Sequence, residues 1–137
     1  MQIHLATQQL GDKIVRFFGK YLDVQNEAIT GREFFCPLGV KAAIKRRQVI
    51  VCMDNKEVVA ALRFYPRKRD GIVSVYQFAI AEAQRKHGLL DTMLQKTGYS
   101  KFEVLCPIGG VFNEYYKKTN WILEKTDEAY NYWGKTL

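Results

Sequence analysis

Three apolar segments of strand character follow one another with only short turn signals between them. This meander constrains the chain more than any other feature. Gln48 to Met53 is apolar and β-branched, Glu57 to Tyr65 is a longer run stopped by Pro66, and Ile72 to Ile80 is the third. Asp54-Asn55 supplies the first turn. Arg67-Lys68-Arg69-Asp70-Gly71 reads as a solvated hairpin loop, with Asp-Gly providing the turn chemistry. The spacing predicts an antiparallel meander. A sheet of this kind must cover its apolar faces, and the flanking segments carry helical periodicity suited to that task.

Upstream, Gln2 to Ala6 reads as a strand and Thr7 as the cap of a following helix. Leu10, Ile14, Phe17, Tyr21 and Leu22 recur at helical spacing and predict one buried face. Asp23 to Pro37 is irregular and polar, and a second short helix is expected from Leu38 to Lys45. Downstream, Leu89, Leu90, Met93 and Leu94 form the stripe of a helix over Gly88–Thr97, and Gly98 suits the position just past its end. Phe102 to Cys106 reads as a strand broken by Pro107, Gly109 and Gly110. A short helix follows from Val111 to Thr119, and Trp121–Leu123 with Tyr130–Trp133 reads as a closing hairpin. The order is β-α-α-β-β-β-α-β-α-β-β. The helix between the third meander strand and Phe102–Cys106 is a crossover, which predicts a parallel pair. The fold class is therefore α/β (α+β), a mixed, mostly antiparallel sheet flanked by helices. With 137 residues and no repeat or linker, a single domain over 1–137 is expected.

Hydrophobic residues at 47% and charged residues at 26% are globular values. No apolar run approaches the roughly 20 residues of a membrane span, and the N-terminus lacks signal-peptide character, so a cytoplasmic protein is expected. Cys36, Cys52 and Cys106 lack CxxC spacing, and His4 and His87 lie far apart. Neither a disulfide framework nor a metal site is expected. The formal charge of +7 favours anionic partners without choosing among them. Arg63, Arg67, Lys68 and Arg69 are the densest basic cluster, readable as a nucleic-acid or acidic-acceptor patch, or as a solvated hairpin tip.

Two segments carry chemistry. The first is Phe78-Ala79-Ile80-Ala81-Glu82-Ala83-Gln84-Arg85-Lys86-His87-Gly88-Leu89-Leu90. A strand end, a basic loop with a glycine and a helix start make a phosphate cradle, because free N–H groups and the helix dipole face an anion. The second is Tyr115-Tyr116-Lys117-Lys118-Thr119-Asn120-Trp121. Both resemble motifs of the GNAT superfamily of N-acetyltransferases. The first is similar to its Arg/Gln-x-x-Gly-x-Gly/Ala acyl-CoA motif, with Leu90 where a small residue is usual. The second is similar to its Phe/Tyr-Tyr-x-Lys-x-Gly-Phe run, with Asn120 in place of glycine. Asn is the next-best residue for the left-handed conformation there.

The resemblance implies an acyl-CoA-dependent N-acyltransferase that uses acetyl-CoA and acts by direct attack of an amine in a ternary complex. It implies that Phe78, Ala79 and Ile80 align the pantetheine through their backbone. Arg85, Lys86, His87, Gly88 and Leu89 would hold the pyrophosphate. Tyr116 would be the acid that protonates the departing thiolate. The family's usual Asn position is Gly109 here, and Asn113, three residues before Tyr116, is a candidate pantetheine contact that the resemblance does not itself imply. Glu33 and Glu103 are candidates for the base. Cys106 reads as a nucleophile or a buried small hydrophobe, and His87 as an acid–base group or a phosphate contact. Two other readings keep the fold: a nucleic-acid-binding or nucleobase-modifying protein that uses the basic cluster, and a non-catalytic acyl-CoA-binding module. The acceptor is a small-molecule or protein amine. An exposed edge strand and the aromatic C-terminal hairpin are the surfaces offered to a homodimer.

Overall fold

The computed structural model describes residues 1–22 and 36–137, so Glu33 and most of the irregular early segment lie outside the described residues. Seven strands form one sheet: β1 (Gln2–Leu5), β2 (Val49–Asp54), β3 (Glu57–Pro66), β4 (Val73–Ile80), β5 (Lys101–Pro107), β6 (Ile122–Thr126) and β7 (Tyr130–Thr136). Their order is β1-β2-β3-β4-β5-β7-β6. All neighbours are antiparallel except β4 and β5, the pair linked by the crossover helix. The helices are α1 (Gly11–Leu22), α2 (Pro37–Lys45), α3 (Leu89–Lys96) and α4 (Phe112–Lys118).

The pleat of β3 sorts the interior into two cores. Ala60, Leu62 and Phe64 join Leu90, Met93 and Leu94 of α3 and Tyr116 of α4 on one face. Ala61 joins Ile14 and Phe18 of α1 and Val40 and Ile44 of α2 on the other. Successive strand residues point to opposite faces, so a run such as Val58-Val59-Ala60-Ala61-Leu62 feeds both cores. Phe18, absent from the periodic set read in the sequence, is the largest fully buried side chain of α1. Leu90 is 3% exposed and belongs to the first core, so its bulk is directed into the interior.

Two local readings are corrected. Thr7 does not cap α1: a 3₁₀ turn over Gln8–Leu10 intervenes, closed by the Leu10 N–H donating to the Thr7 carbonyl at 3.0 Å, and the Thr7 side chain makes no capping bond. The first hairpin turn is Asn55-Lys56, one residue later than read. Both have positive φ (49° and 72°) and Asp54 pairs with Glu57, which is the geometry of a two-residue type I′ hairpin.

The register of β3 against β4 shifts by one residue between Arg63 and Phe64, which pair with Gln77 and Val75. Tyr76 is the extra residue of a β-bulge, and a bulge bends its strand. β4 pairs with β5 only at Val73↔Phe102 and Ser74↔Glu103. Beyond that point the two strands part, and the outer edge of β4 has no strand beside it. At the far side of the sheet β7 pairs along the whole of β5, and β6 is left as an edge strand whose residues are all exposed.

Candidate functional site

The parting of β4 and β5 exposes a backbone edge. Ala81 donates its N–H to the Val59 carbonyl of β3 at 2.8 Å. Backbone polar groups alternate sides along a strand, so Ala79 also faces β3, and Phe78 and Ile80 direct theirs into the gap. The Ile80 carbonyl accepts a bond there from Arg85 Nε at 3.0 Å. Phe78 and Ile80 are thus placed to meet a ligand through their backbones. Ala79 is not: its backbone faces β3 and its side chain, 1% exposed, lies in the α1–α2 core.

The edge runs into the basic loop. Among the described residues, the N–H groups of Lys86 and of Gly88 to Asp91 donate to no backbone carbonyl. Lys86 and Gly88 both have left-handed backbones, φ 69° and 68°, and Gly88 is the residue before the first turn of α3. Left-handed residues in such a loop curl successive N–H groups toward a common centre, and the helix start adds its dipole. A Cβ on Gly88 would meet nothing within 4 Å, so the space in front of the loop is open. Arg85, Lys86 and His87 are exposed, whereas the Leu89 side chain is buried and only its backbone faces the loop. The arrangement sets an exposed basic loop and a helix start at the end of an unpaired strand edge, a placement that can receive an anion.

Tyr116 lies beneath the gap, 4% exposed. Its ring contacts those of Phe78 (6.4 Å), Trp121 (5.4 Å) and Trp133 (6.1 Å). Burial, then the neighbouring Cys106 and Tyr115, push its pKa well above the ordinary tyrosine value. It therefore keeps its proton at neutral pH. Asn120 holds the left-handed conformation (φ 68°) that turns α4 toward β6.

Asn113 is corrected from a ligand contact to a structural clasp. Its Nδ2 donates to the carbonyls of Pro107 (2.8 Å), Ile108 (3.0 Å) and Gly110 (3.0 Å). Its Oδ1 accepts from Asn131 Nδ2 (3.1 Å) and Trp133 Nε1 (3.0 Å). The amide has no capacity left for a pantetheine. Cys106 is buried, and burial raises its thiol above the ordinary value. It is a core residue rather than a nucleophile.

No protein-family model and no curated protein sequence matches the chain. Solved structures do match it in shape. It is similar to the PaiA N-acetyltransferase of Thermoplasma acidophilum in complex with coenzyme A (TM-score 0.80, 11% identity, 99% of this chain and 98% of that one). A GNAT-family acetyltransferase of Listeria monocytogenes matches with TM-score 0.76 and 10% identity over 99% and 94% of the two chains. The chain has the GNAT acetyltransferase fold. The diaminobutyrate acetyltransferase EctA of Paenibacillus lautus, solved with L-2,4-diaminobutyric acid and coenzyme A, is similar in shape too (TM-score 0.67, 12% identity, 98% of this chain and 93% of that one).

Within this GNAT fold the basic cluster read from the sequence separates. Arg67 is 16% exposed and neutralised by Glu103 at 2.7 Å and Asp70 at 3.2 Å. Arg69 lies 3.6 Å from Asp70, and Lys68 is exposed at the hairpin tip. Arg63 is elsewhere. It projects from β3 toward the start of α2, where its guanidinium stacks 4.3 Å from the Tyr76 ring and its Nη1 donates to Gln77 Oε1 at 3.3 Å. The four residues therefore do not form one continuous basic surface. Glu103 is corrected as well: it sits opposite Ser74, where β4 and β5 are still paired, and its carboxylate is held by Arg67. The contact of Arg63 with Tyr76 and Gln77 escaped sequence reasoning because the bulge shifts the register by one. The available signal was a single arginine inside the apolar run Val58–Tyr65. Among the described residues no three His, Cys, Asp or Glu converge as metal ligands, and no helix is long and apolar enough to cross a membrane.

Proposed function

We propose that the chain is an acyl-CoA-dependent N-acyltransferase, with acetyl-CoA as donor and an amine as acceptor. One observation carries this reading: the edge of β4 left unpaired beyond Ser74 leads directly into a loop whose N–H groups mostly lack backbone acceptors among the described residues. The edge suits the two amides of a pantetheine arm and the loop suits a pyrophosphate. The acetyltransferase structures that share the fold, two of them holding coenzyme A, support it.

The donor supplies an acyl group already activated as a thioester. The residues of this chain hold and orient it. Phe78 and Ile80 offer N–H and carbonyl groups at the gap. Lys86, Gly88 and Leu89 offer N–H groups, and the side chains of Lys86 and His87 offer positive or hydrogen-bonding groups at the loop surface. Tyr116 keeps a proton on its hydroxyl for a departing thiolate, since burial disfavours the tyrosinate. The acceptor amine loses its proton to solvent, and no carboxylate is assigned as its base.

Thermal unfolding with and without acetyl-CoA tests the reading. A ligand at about 100 times its Kd adds about 2.7 kcal/mol, which raises the midpoint of a domain this size by on the order of 5 °C. A shift together with acetylation of an amine establishes the enzyme. A shift without turnover on a broad amine panel reduces it to a binding module, and no shift removes the reading.

A further inference from the structure

Among the described residues Arg63 is a cation without an anion. Among the described residues no carboxylate pairs with it; its one hydrogen bond runs from Nη1 to Gln77, a neutral acceptor only 5% exposed. Burial is the main influence that lowers its pKa from the ordinary arginine value. Tyr76 and Cys36 act the other way, and the nearby Arg46 adds like-charge repulsion. The guanidinium lies against the first turn of α2: a Cβ on Gly39 would come within 3.5 Å of its Nη1 and 3.7 Å of its Nη2. That turn contributes further donors, because the Leu38 and Gly39 N–H groups have no backbone acceptor among the described residues. Leu38 and Cys36 are exposed, so the place is open to solvent.

From these positions we infer that Arg63 and the start of α2 form an anion pocket for the carboxylate of the acceptor, so that the substrate is a small amine bearing a carboxylate. The Nε–Nη2 edge of the guanidinium, which bonds to nothing among the described residues, has the planar two-donor shape that a carboxylate accepts in bidentate fashion. The Tyr76 ring and Gln77 hold the guanidinium in place and leave that edge available. Location ties the pocket to the reaction. Arg63 pairs with Gln77, the residue immediately before Phe78, whose backbone faces the gap. One strand residue spans about 3.4 Å, so an amine a few bonds from a carboxylate held at Arg63 lies at the gap. The pocket is on the α1–α2 face and the aromatic cluster around Tyr116 on the other. The acceptor would thus approach the donor from the side opposite the acid.

This inference rests on the acetyltransferase reading, and the experiment separates the two. The wild type and Arg63→Gln are assayed with acetyl-CoA on a panel of free amino acids and the corresponding primary amides, beside their acetyl-CoA thermal shifts. The acid-to-amide ratio of kcat/KM is expected to be on the order of tenfold to a hundredfold higher in the wild type than in Arg63→Gln. The difference should arise from KM for the acids, with the acetyl-CoA shift retained. Arg63→Lys, which keeps a cation over Tyr76 but loses the fork, should give an intermediate ratio and serves if the Gln variant does not fold. An unchanged ratio in the variants overturns the inference and leaves the acetyltransferase reading standing. So does an acetyl-CoA shift in the wild type with no acetylation of any acid on the panel. Absence of that shift in the wild type overturns both.

Discussion

At the scale of single residues, Asn113 and Tyr116 separate structure from chemistry. Asn113 satisfies three carbonyls of the turn after β5 and two donors on β7, one of them the indole N–H of Trp133, itself 6% exposed. Removing a partner from buried polar groups costs about 1–3 kcal/mol for each group left unsatisfied. Asn113→Ala is expected to lower stability by about 3 kcal/mol, read as a shift of the urea midpoint. Water entering the turn would limit the loss. Tyr116→Phe keeps the ring contacts and removes the proton, so it should leave the acetyl-CoA thermal shift in place and lower kcat by on the order of 10–100-fold. Because its pKa lies well above 10.0, loss of the Tyr116 proton should not contribute to any fall in rate below about pH 10. The motif around Tyr116 was legible because it is local in sequence. The role of Asn113 was not: its partners on β7 are 18 and 20 residues away and only the fold brings them together.

At the scale of elements, turn chemistry and periodicity placed the strands and α-helices of the described residues to within a few residues, because each signal is short-range. The bulge at Tyr76 carried no such signal, and with it the position of Arg63 and the parting of β4 from β5 were hidden. Gly88 illustrates the legible side. Its φ of 68° is costly for any residue with a Cβ, while the space around it is empty. Gly88→Ala should therefore cost about 1 kcal/mol through the backbone alone and weaken the acetyl-CoA shift, as seen in paired melts. The β6–β7 turn gives a second test. Asp127 accepts from the N–H groups of Ala129 and Tyr130 at 2.8 Å and from the Tyr132 hydroxyl at 2.6 Å. The Tyr132 bond first, then the two backbone bonds, lower its pKa from 3.8 to about 2. A depressed carboxylate pKa contributes stability that is present above 3.8 and lost as pH falls through about 2. The stability gap between the wild type and Asp127→Asn should be full at neutral pH and close across that window. A constant gap down to pH 2 would mean that the carboxylate is not what orders the turn.

At the scale of the whole molecule, the sheet is shared by two cores that, among the described residues, touch no helix in common. Phe18, 0% exposed, fills the α1–α2 side, and Phe102, 2% exposed, fills the α3–α4 side. β2, β3 and β4 contribute to both, since the pleat of each alternates between them. Loss of either core would expose one face of the same strands, and a half-covered sheet of this apolarity has no stable state of its own. The chain should then unfold in one step whichever side is weakened. Phe18→Ala and Phe102→Ala should each cost about 3–5 kcal/mol, and each should keep a single transition with the wild-type dependence on denaturant. Because the two side chains share no cluster, the costs should add. A domain of ordinary stability, about 5–15 kcal/mol, would then be close to unfolded in the double variant. Two separated transitions in either single variant would show instead that the α1–α2 face and the α3–α4 face fold as distinct units. The gap between β4 and β5 would then lie near a boundary between independently mobile parts rather than within one rigid frame.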